Sequence, residues 1–159
     1  MKSIITMGIL SGILSLFGCG NKTDKPGFSF RAKKIEITQL TAELKLLELN
    51  KTEFDFIGIT SNGIDCIYFV KDNGKFQIEF EAMAENQVPY IDKLKSFANQ
   101  YGYKTQMTSY GNKPHYSAST APVLKIITNS NLEKTAEIGK KIQEEIFKNP
   151  IETKYEVVP

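Results

Sequence analysis

Apolar and polar side chains alternate along the middle of the chain, on both sides of two Asn-Gly pairs, Asn62-Gly63 and Asn73-Gly74. An Asn-Gly pair between two alternating segments is the strongest local signal for a β-hairpin, because both residues of a type I′ turn need positive φ. The pattern therefore predicts three antiparallel strands that are joined by two tight turns. Their predicted ranges are 54–61, 64–71 and 75–82.

Two-residue turns fix the register of a hairpin, and side chains alternate between the two faces of a strand. In the predicted register Phe56 lies opposite Phe69, and Phe69 lies opposite Ile78. The first face of the sheet, which we predict to be the core, then carries Phe54, Phe56, Ile67, Phe69, Phe76, Ile78 and Phe80. The second face carries Ile57, Ile59, Ile64, Cys66, Tyr68, Gln77, Glu79 and Glu81. A longer, bulged loop at either turn would change this assignment.

The apolar part of the second face is a candidate binding surface that consists of Ile57, Ile59, Ile64 and Tyr68. A patch of this kind is larger than a monomeric protein usually leaves in water. Two outcomes remain: either the first helix folds over the patch, or the patch stays open and contacts a partner or a second copy. We expect the helix to cover it, because each buried leucine contributes roughly 1.5–3 kcal/mol and no second molecule is needed.

Helical spacing of apolar residues predicts three helices, at 38–50, at 88–101, and between a capping box at 130–133 and Asn149-Pro150. Further strands are predicted at 103–109, 123–128 and 153–158, and Ile35 and Ile37 alternate in a way that a short strand would also explain. The predicted order is α-β-β-β-α-β-β-α-β, which indicates an α+β fold with an antiparallel sheet and helices on one face. Without its last strand, this order resembles that of small secretion-chaperone-like folds, which implies polypeptide binding.

The N-terminal residues carry a targeting signal. Lys2 precedes a mostly apolar segment, 4–17, which is too short for a bilayer span of roughly 20 residues but has the length of a secretory signal. Residues 16–19, Leu-Phe-Gly-Cys, resemble the lipobox of bacterial lipoproteins. The resemblance implies that the signal is removed before Cys19 and that this cysteine is lipid-modified. The alternative is an ordinary secretory signal that is followed by an unrelated cysteine.

This resemblance divides the chain into three parts. A signal peptide spans 1–18, the lipidated cysteine and a tether that contains Gly, Pro and Lys span 19–34, and a single α+β domain spans 35–159. The whole chain of 159 residues has a formal net charge of +2, and the signal contains only one charged residue, so the remainder is nearly neutral. Because a nucleic-acid-binding domain typically shows a basic stripe, we expect no nucleic-acid partner.

No residue pattern indicates catalysis, a metal ion or a cofactor. His115 is the only histidine, which excludes a multi-histidine metal site. Cys66 has no second cysteine to pair with once Cys19 is acylated, and a cysteine within a strand is usually a small packing residue. A Cys66–His115 pair of nucleophile and base is the catalytic alternative.

These features predict a lipid-anchored protein of the bacterial cell envelope, outside the cytoplasm, whose domain binds another protein or a peptide without catalysis. Its expected partners are the membrane, through the lipid anchor, and another envelope or secreted protein. The alternative is a small hydrolase or ligand-binding protein that uses the polar stretch 109–122, since long loops are often functional and tyrosine provides contact area at low entropic cost. The aromatic residues of this stretch are Tyr110, His115 and Tyr116.

Overall fold

A seven-stranded antiparallel sheet is the framework of the domain. The computed structural model describes residues 33–110 and 120–158. The elements are β1 Lys33–Glu36, α1 Leu40–Glu48, β2 Phe56–Thr60, β3 Ile67–Asp72, β4 Lys75–Glu81, α2 Val88–Gln100, β5 Lys104–Ser109, β6 Pro122–Ser130, α3 Leu132–Lys141 and β7 Lys154–Val158. The strands lie side by side in the order β1-β7-β2-β3-β4-β6-β5, and each neighbouring pair is antiparallel. The predicted α+β class with an antiparallel sheet is confirmed.

The element order differs from the predicted one at its start, where a strand precedes the first helix. In β1 only Ile35 is buried, opposite Tyr155 of β7, and its neighbours are exposed, as expected for a strand with one face on the core. The strand includes Lys33 and Lys34, which the sequence pattern assigns to the tether. The observed order is β-α-β-β-β-α-β-β-α-β, so the likeness in element order to secretion-chaperone-like folds does not hold.

The third helix begins and ends close to its predicted limits. Its N-cap is Asn131, whose side chain accepts a hydrogen bond of 3.0 Å from the backbone N–H of Lys134, while Ser130 still belongs to β6. Beyond α3 the chain continues as a π-helical turn, Ile142–Ile146. Lys148 then adopts a positive φ of 61°, which ends the helical segment.

All three helices pack on one face of the sheet, which we call the covered face. A Cβ added to Gly139 of α3 would lie 2.6 Å from the ring of Phe69 and 3.2 Å from Cδ2 of Leu40, so α3, β3 and α1 meet at this point. The same core cluster includes Leu94 and Phe97 of α2. The prediction that the first helix covers the opposite face is therefore wrong, because the leucines of α1 are buried in the core beside α3.

The register of the first hairpin is shifted by one residue from the predicted register, and the prediction for the faces of β2 is wrong. Ile57 pairs with Phe69, and Ile59 pairs with Ile67. Ile57 and Ile59 therefore lie on the covered face, where both are buried. Phe56, which was predicted in the core, lies on the opposite face.

The two Asn-Gly pairs behave differently, and this explains the shift. Asn73 and Gly74 both have positive φ and form the predicted tight turn, so the predicted register of the second hairpin is confirmed. Between β2 and β3 the chain instead forms a longer loop, 61–66. The carboxylate of Asp65 accepts a hydrogen bond of 2.7 Å from the hydroxyl of Thr60, so this loop closes around an inward-pointing side chain.

Candidate binding face of the sheet

The face of the sheet opposite the helices carries the candidate functional surface, and we call it the open face. In the described ranges 33–110 and 120–158, no helix packs against it. Its side chains are those that alternate with the core residues of each strand. They include Lys34, Phe56, Tyr68, Val70, Gln77, Glu79, Glu81, Val123, Lys125, Glu156 and Val158.

Three aromatic residues, Phe54, Phe56 and Tyr68, form a cluster on the β2–β3 part of the open face, which we call the aromatic cluster. The rings of Phe54 and Phe56 are stacked with centroids 5.4 Å apart, and Phe56 meets Tyr68 edge-on at 5.9 Å. Phe54 is 46% exposed, and Phe56 and Tyr68 are half-buried. Aromatic side chains that stay in water as one group are typical of interaction surfaces.

Gly58 brings the ring of Tyr68 close to the backbone of β2. Gly58 and Tyr68 lie directly opposite each other in neighbouring strands. A Cβ at this position would lie 2.9 Å from two ring atoms of Tyr68 and 2.6 Å from Cγ2 of Val158. The missing side chain therefore lets the rings of the cluster and the methyl groups of Val158 form one continuous apolar surface.

Cys66 lies beside the aromatic cluster and is a free cysteine that shares a hydrogen bond with Tyr68. Burial raises the pKa of the Cys66 thiol to about 11, and the hydrogen bond with Tyr68 offsets this only in part. Burial likewise raises the pKa of Tyr68 above its ordinary value. Both groups are neutral near pH 7, so the thiol has little of the thiolate character that a nucleophile needs.

Strands β4 and β6 give the open face a polar border next to the aromatic cluster. Glu79 lies opposite Tyr68, and its carboxylate oxygen is 3.5 Å from Nζ of Lys125. Burial raises the pKa of Glu81, and the nearby carboxylate of Glu79 adds to this effect. An apolar centre with a charged border is the usual layout of a protein interface.

A buried carboxylate fixes the loop that sets the register of β2. Asp65 is 1% exposed, and its side chain accepts hydrogen bonds from Thr60, Ser61 and Asn149 at 2.5–2.7 Å. Gln143 of the π-helical turn donates a further hydrogen bond of 3.0 Å to the backbone carbonyl of Asp65. Burial alone would raise the pKa of Asp65, but these side-chain and backbone donors outweigh burial, and the pKa lies below its ordinary value.

A concave region of about 730 Å³ lies on the helical side, between α2 and the π-helical turn. There the ring centroids of Tyr90 and Phe147 are 4.8 Å apart, and Nζ of Lys93 lies 4.7 Å from the Tyr90 ring. Phe147 also contacts Phe80 of the core, with centroids 5.9 Å apart. Because these rings continue the core outward, we interpret this region as the edge of the helical layer.

The structure separates the predicted binding residues of the sheet. Tyr68 lies on the open face, at the centre of the candidate surface. Ile57 and Ile59 are 4% and 0% exposed, so the prediction that they contribute to a binding surface is wrong. Because β2 is shifted by one residue, Phe54 and Phe56 lie on the open face in their place. The alternation pattern predicts both phenylalanines in the core.

Sequence reasoning missed these two phenylalanines because it assumed a tight turn at Asn62-Gly63. The one signal against that turn is Asp65, an acidic residue near the start of the predicted strand 64–71, where apolar and aromatic residues follow it up to Val70. Aspartate is disfavoured in strands and favoured in loops, where its side chain accepts hydrogen bonds from nearby backbone N–H groups.

The remaining predicted residues belong to other parts of the chain. Tyr110 directly follows β5 and is 54% exposed. His115 and Tyr116 of the polar stretch, and the predicted lipidation site Cys19, lie outside the described residues, so their roles stay predictions.

Comparisons with known proteins give no match. No family model, no curated protein and no solved structure matches this chain. Among the described residues, no group of three or more His, Cys, Asp or Glu side chains is placed to hold a metal ion. Within the same part of the chain, no helix is long and apolar enough to cross a membrane.

Proposed function

We propose that this protein is a lipid-anchored protein of the bacterial cell envelope whose open face binds another protein or a peptide, without catalysis. The observation that carries the proposal is the aromatic cluster, which stays exposed on a sheet whose other face is filled by helices. A folded domain gains stability when it buries such rings, so rings that remain partly in water support a role in contact with another molecule.

The shape of the surface favours a macromolecular ligand. Small molecules typically bind in concave pockets that enclose most of their area, whereas protein interfaces are broad and have a polar rim. The aromatic cluster lies on a sheet face, and the Glu79–Lys125 ion pair borders it. A peptide or protein surface fits this arrangement better than a small substrate does.

The lipobox-like sequence at 16–19 supports the anchored state. A single acyl chain gives only marginal membrane binding, whereas several chains on one residue hold a protein stably. The tether up to β1 would then reach roughly 40 Å if it were extended, at about 3.1 Å per residue.

Photo-crosslinking in intact cells tests the binding role. A photoreactive phenylalanine analogue replaces Tyr68 on the open face or, as a matched control, Tyr90 on the helical side. We expect one defined crosslinked species from position 68 and none from position 90. The same species from both positions, or from position 90 alone, would show that the open face is not the specific binding surface.

Metabolic labelling with a fatty-acid analogue tests the anchor separately. Cys19→Ala removes the acceptor thiol, so the variant should lose all label, while Cys66→Ala should keep it. Equal labelling of Cys19→Ala and the unmodified protein would contradict the lipoprotein assignment.

A further inference from the structure

Strand β5 forms one edge of the sheet. It is the last in the strand order, and within the described ranges 33–110 and 120–158 its only strand neighbour is β6. At the opposite edge, three of the four residues of β1 are charged, which deters pairing with a further strand. In β5 the one charged residue is Lys104, at its start. The edge of β5 therefore lacks the charges that usually prevent another strand from pairing with it.

The pairing of β5 with β6 determines which backbone groups point away from the sheet. Opposite residues of an antiparallel pair alternate between those that exchange two hydrogen bonds and those that exchange none. The N–H of Tyr110, directly after β5, donates to the carbonyl of Ala121 with nitrogen and oxygen 2.9 Å apart, so this pair is of the first kind. Counted back along the register, Thr105 and Met107 are of the second kind. Their N–H and C=O groups therefore point outward, where a further strand would meet them.

The side chains of the same two residues point to the covered face. Met107 lies opposite Leu124 of β6, which is buried in the core. Thr105 lies opposite Ile126, which is buried as well. Between β5 and α2 there are two concave regions, one of about 340 Å³ beside Met107 and one of about 630 Å³ beside Thr105. Lys95 of α2 borders both, so they form one groove along the strand, which we call the edge groove.

The two ends of the edge groove differ in chemistry. Val88 of α2 lines the end near Met107, and these two apolar side chains are 43% and 41% exposed. Asp92 also lines this end, where its carboxylate is 3.8 Å from Nζ of Lys95. The other end is lined by Lys95 and Lys104, and none of the described residues that line it is acidic. The groove therefore offers an apolar contact at one end and positive charge at the other.

We propose that an extended segment of another protein adds to β5 as an antiparallel strand in the edge groove, with an apolar residue opposite Met107 and an acidic residue two positions later, opposite Thr105. Antiparallel pairing gives this order, because the added strand runs from the apolar end of the groove to the lysine end, and it is the more stable pairing per residue. Hydrogen bonds to the outward backbone groups hold the segment, and the side chains in the groove select it. The site is distinct from the aromatic cluster, so it adds a second binding surface to the proposed function.

A second copy of the chain fits the edge groove less well. Self-pairing of β5 through its outward groups places a twofold axis at Gln106, with Met107 of each copy opposite Thr105 of the other. Each Met107 then meets the lysine end of the groove and not the apolar end. The axis also brings the two Lys95 ammonium groups toward each other, since Lys95 borders both halves of the groove. An acidic side chain meets the lysines with opposite charge instead.

Fluorescence anisotropy of a labelled synthetic peptide with the purified full chain tests the proposed pairing. The probe is Thr-Thr-Thr-Leu-Thr-Glu-Thr with both ends blocked, so that its one carboxylate is the glutamate side chain. A control peptide of the same composition has leucine and glutamate exchanged. We expect the control to bind at least about tenfold more weakly, because its leucine meets the lysines and its glutamate meets the apolar end.

N-methylation of single peptide residues tests the strand geometry without a change in the protein. The N–H of the leucine faces the outward carbonyl of Met107, whereas the N–H of the threonine between leucine and glutamate points away from β5. A methyl group on the leucine nitrogen should abolish binding, and one on that threonine nitrogen should leave the affinity nearly unchanged. Equal effects of the two methyl groups would overturn strand addition.

Met107→Pro tests the same contact from the side of the protein. Proline at this position removes an outward N–H, so the ladder between β5 and β6 keeps its hydrogen bonds while the probe should no longer bind. Thr108→Ala, which changes a neighbouring side chain on the open face, is the control and should bind the probe normally. Lys95→Glu combined with Lys104→Glu leaves the backbone unchanged. This charge reversal should weaken binding of the glutamate probe and strengthen binding of a probe with lysine in place of glutamate, and an unchanged preference would contradict the proposal.

Two further results would overturn the proposal. One is the absence of binding of the glutamate probe at millimolar concentration. The other is a dimer of the unmodified chain that becomes a monomer with Met107→Pro in light scattering, which would assign the edge of β5 to a second copy. Because crosslinking at position 68 reports on the open face alone, the failure of one surface leaves the test of the other unaffected.

Discussion

The two faces of the sheet use the same residue types in opposite ways. On the covered face, Phe69 has no exposed area and its ring lies close to the backbone of α3 at Gly139. On the open face, Phe56 in the neighbouring strand is half-buried, and its ring meets those of Phe54 and Tyr68. The difference does not lie in composition. It arises because the register of one hairpin turns Ile57, and not Phe56, toward the helices.

Removal of a ring should have the largest effect on the covered face. Phe69→Ala and Phe80→Ala should each lower the free energy of unfolding by about 3–5 kcal/mol, because both rings are buried and leave cavities. Phe56→Ala should cost less than about 1 kcal/mol, since its ring remains partly in water. Urea unfolding of the three variants measures this. A loss for Phe56→Ala as large as that for Phe69→Ala would contradict the assignment of the faces.

The loop that sets the register should be the next most sensitive point. Asp65→Asn keeps the shape of the side chain but removes the charge that Thr60, Ser61 and Asn149 stabilise. We expect a loss of about 3 kcal/mol, as for a hydrogen-bonded buried charge. Thr52→Ala, in an exposed loop elsewhere, is the control and should stay within about 1 kcal/mol.

The lowered pKa of Asp65 also predicts how stability depends on pH. A carboxyl group whose folded-state pKa is depressed stabilises the protein above its unfolded-state pKa of about 3.9, and this stabilisation is lost as pH falls through the folded value. The unmodified protein should therefore lose more stability than Asp65→Asn between about pH 5 and pH 2. Parallel pH profiles of the two proteins would show that the ionised carboxylate is not what holds the loop.

One substitution made on both faces sharpens the comparison further. Alanine at Gly139 places a Cβ against the fixed ring of Phe69, and we expect it to cost about 1–3 kcal/mol, as for an overpacked core. Alanine at Gly58 meets the side chains of Tyr68 and Val158, which can move into solvent, so we expect a loss below about 1 kcal/mol. Thermal unfolding compares the two variants. A larger loss at Gly58 would mean that the open face is packed as tightly as the core.

The smallest effect is expected in the polar border of the open face. Glu79→Ala removes an ion pair with Lys125 that is partly exposed, and it should change the free energy of unfolding by no more than about 0.5 kcal/mol. The change should shrink further at high salt, because salt screens surface charges. Urea unfolding at low and at high salt measures the change in the free energy of unfolding and its dependence on salt. A loss of several kcal/mol would place Glu79 in the core.

Local signals in the sequence predict most of the elements. Apolar periodicity and the proline at position 89 predict α2 as 88–101, and the helix spans Val88–Gln100. The turn at Asn73-Gly74 is predicted from these two residues alone, because Asn and Gly both readily adopt the positive φ that a type I′ turn needs. Both features are determined by residues that are close together in the sequence, so the sequence pattern is sufficient to predict them.

The faces of β2 could not be predicted in the same way. They depend on Asp65, whose hydrogen-bond partner Asn149 lies 84 residues away in the sequence. Asp65 is also held by Thr60 and Ser61 within the longer loop that follows β2, and with this loop Ile57 rather than Phe56 faces the helices. Tyr68 was placed correctly because its face is fixed by the tight turn of the second hairpin.

The proposed binding surface depends on Phe56 and Tyr68 sharing the open face. Cross-strand nuclear Overhauser effects between β2 and β3 measure this register directly in solution. We predict contacts that join Ile57 with Phe69 and Phe56 with Val70. Contacts that join Phe56 with Phe69 would instead return the aromatic rings to the core and contradict the proposed binding surface.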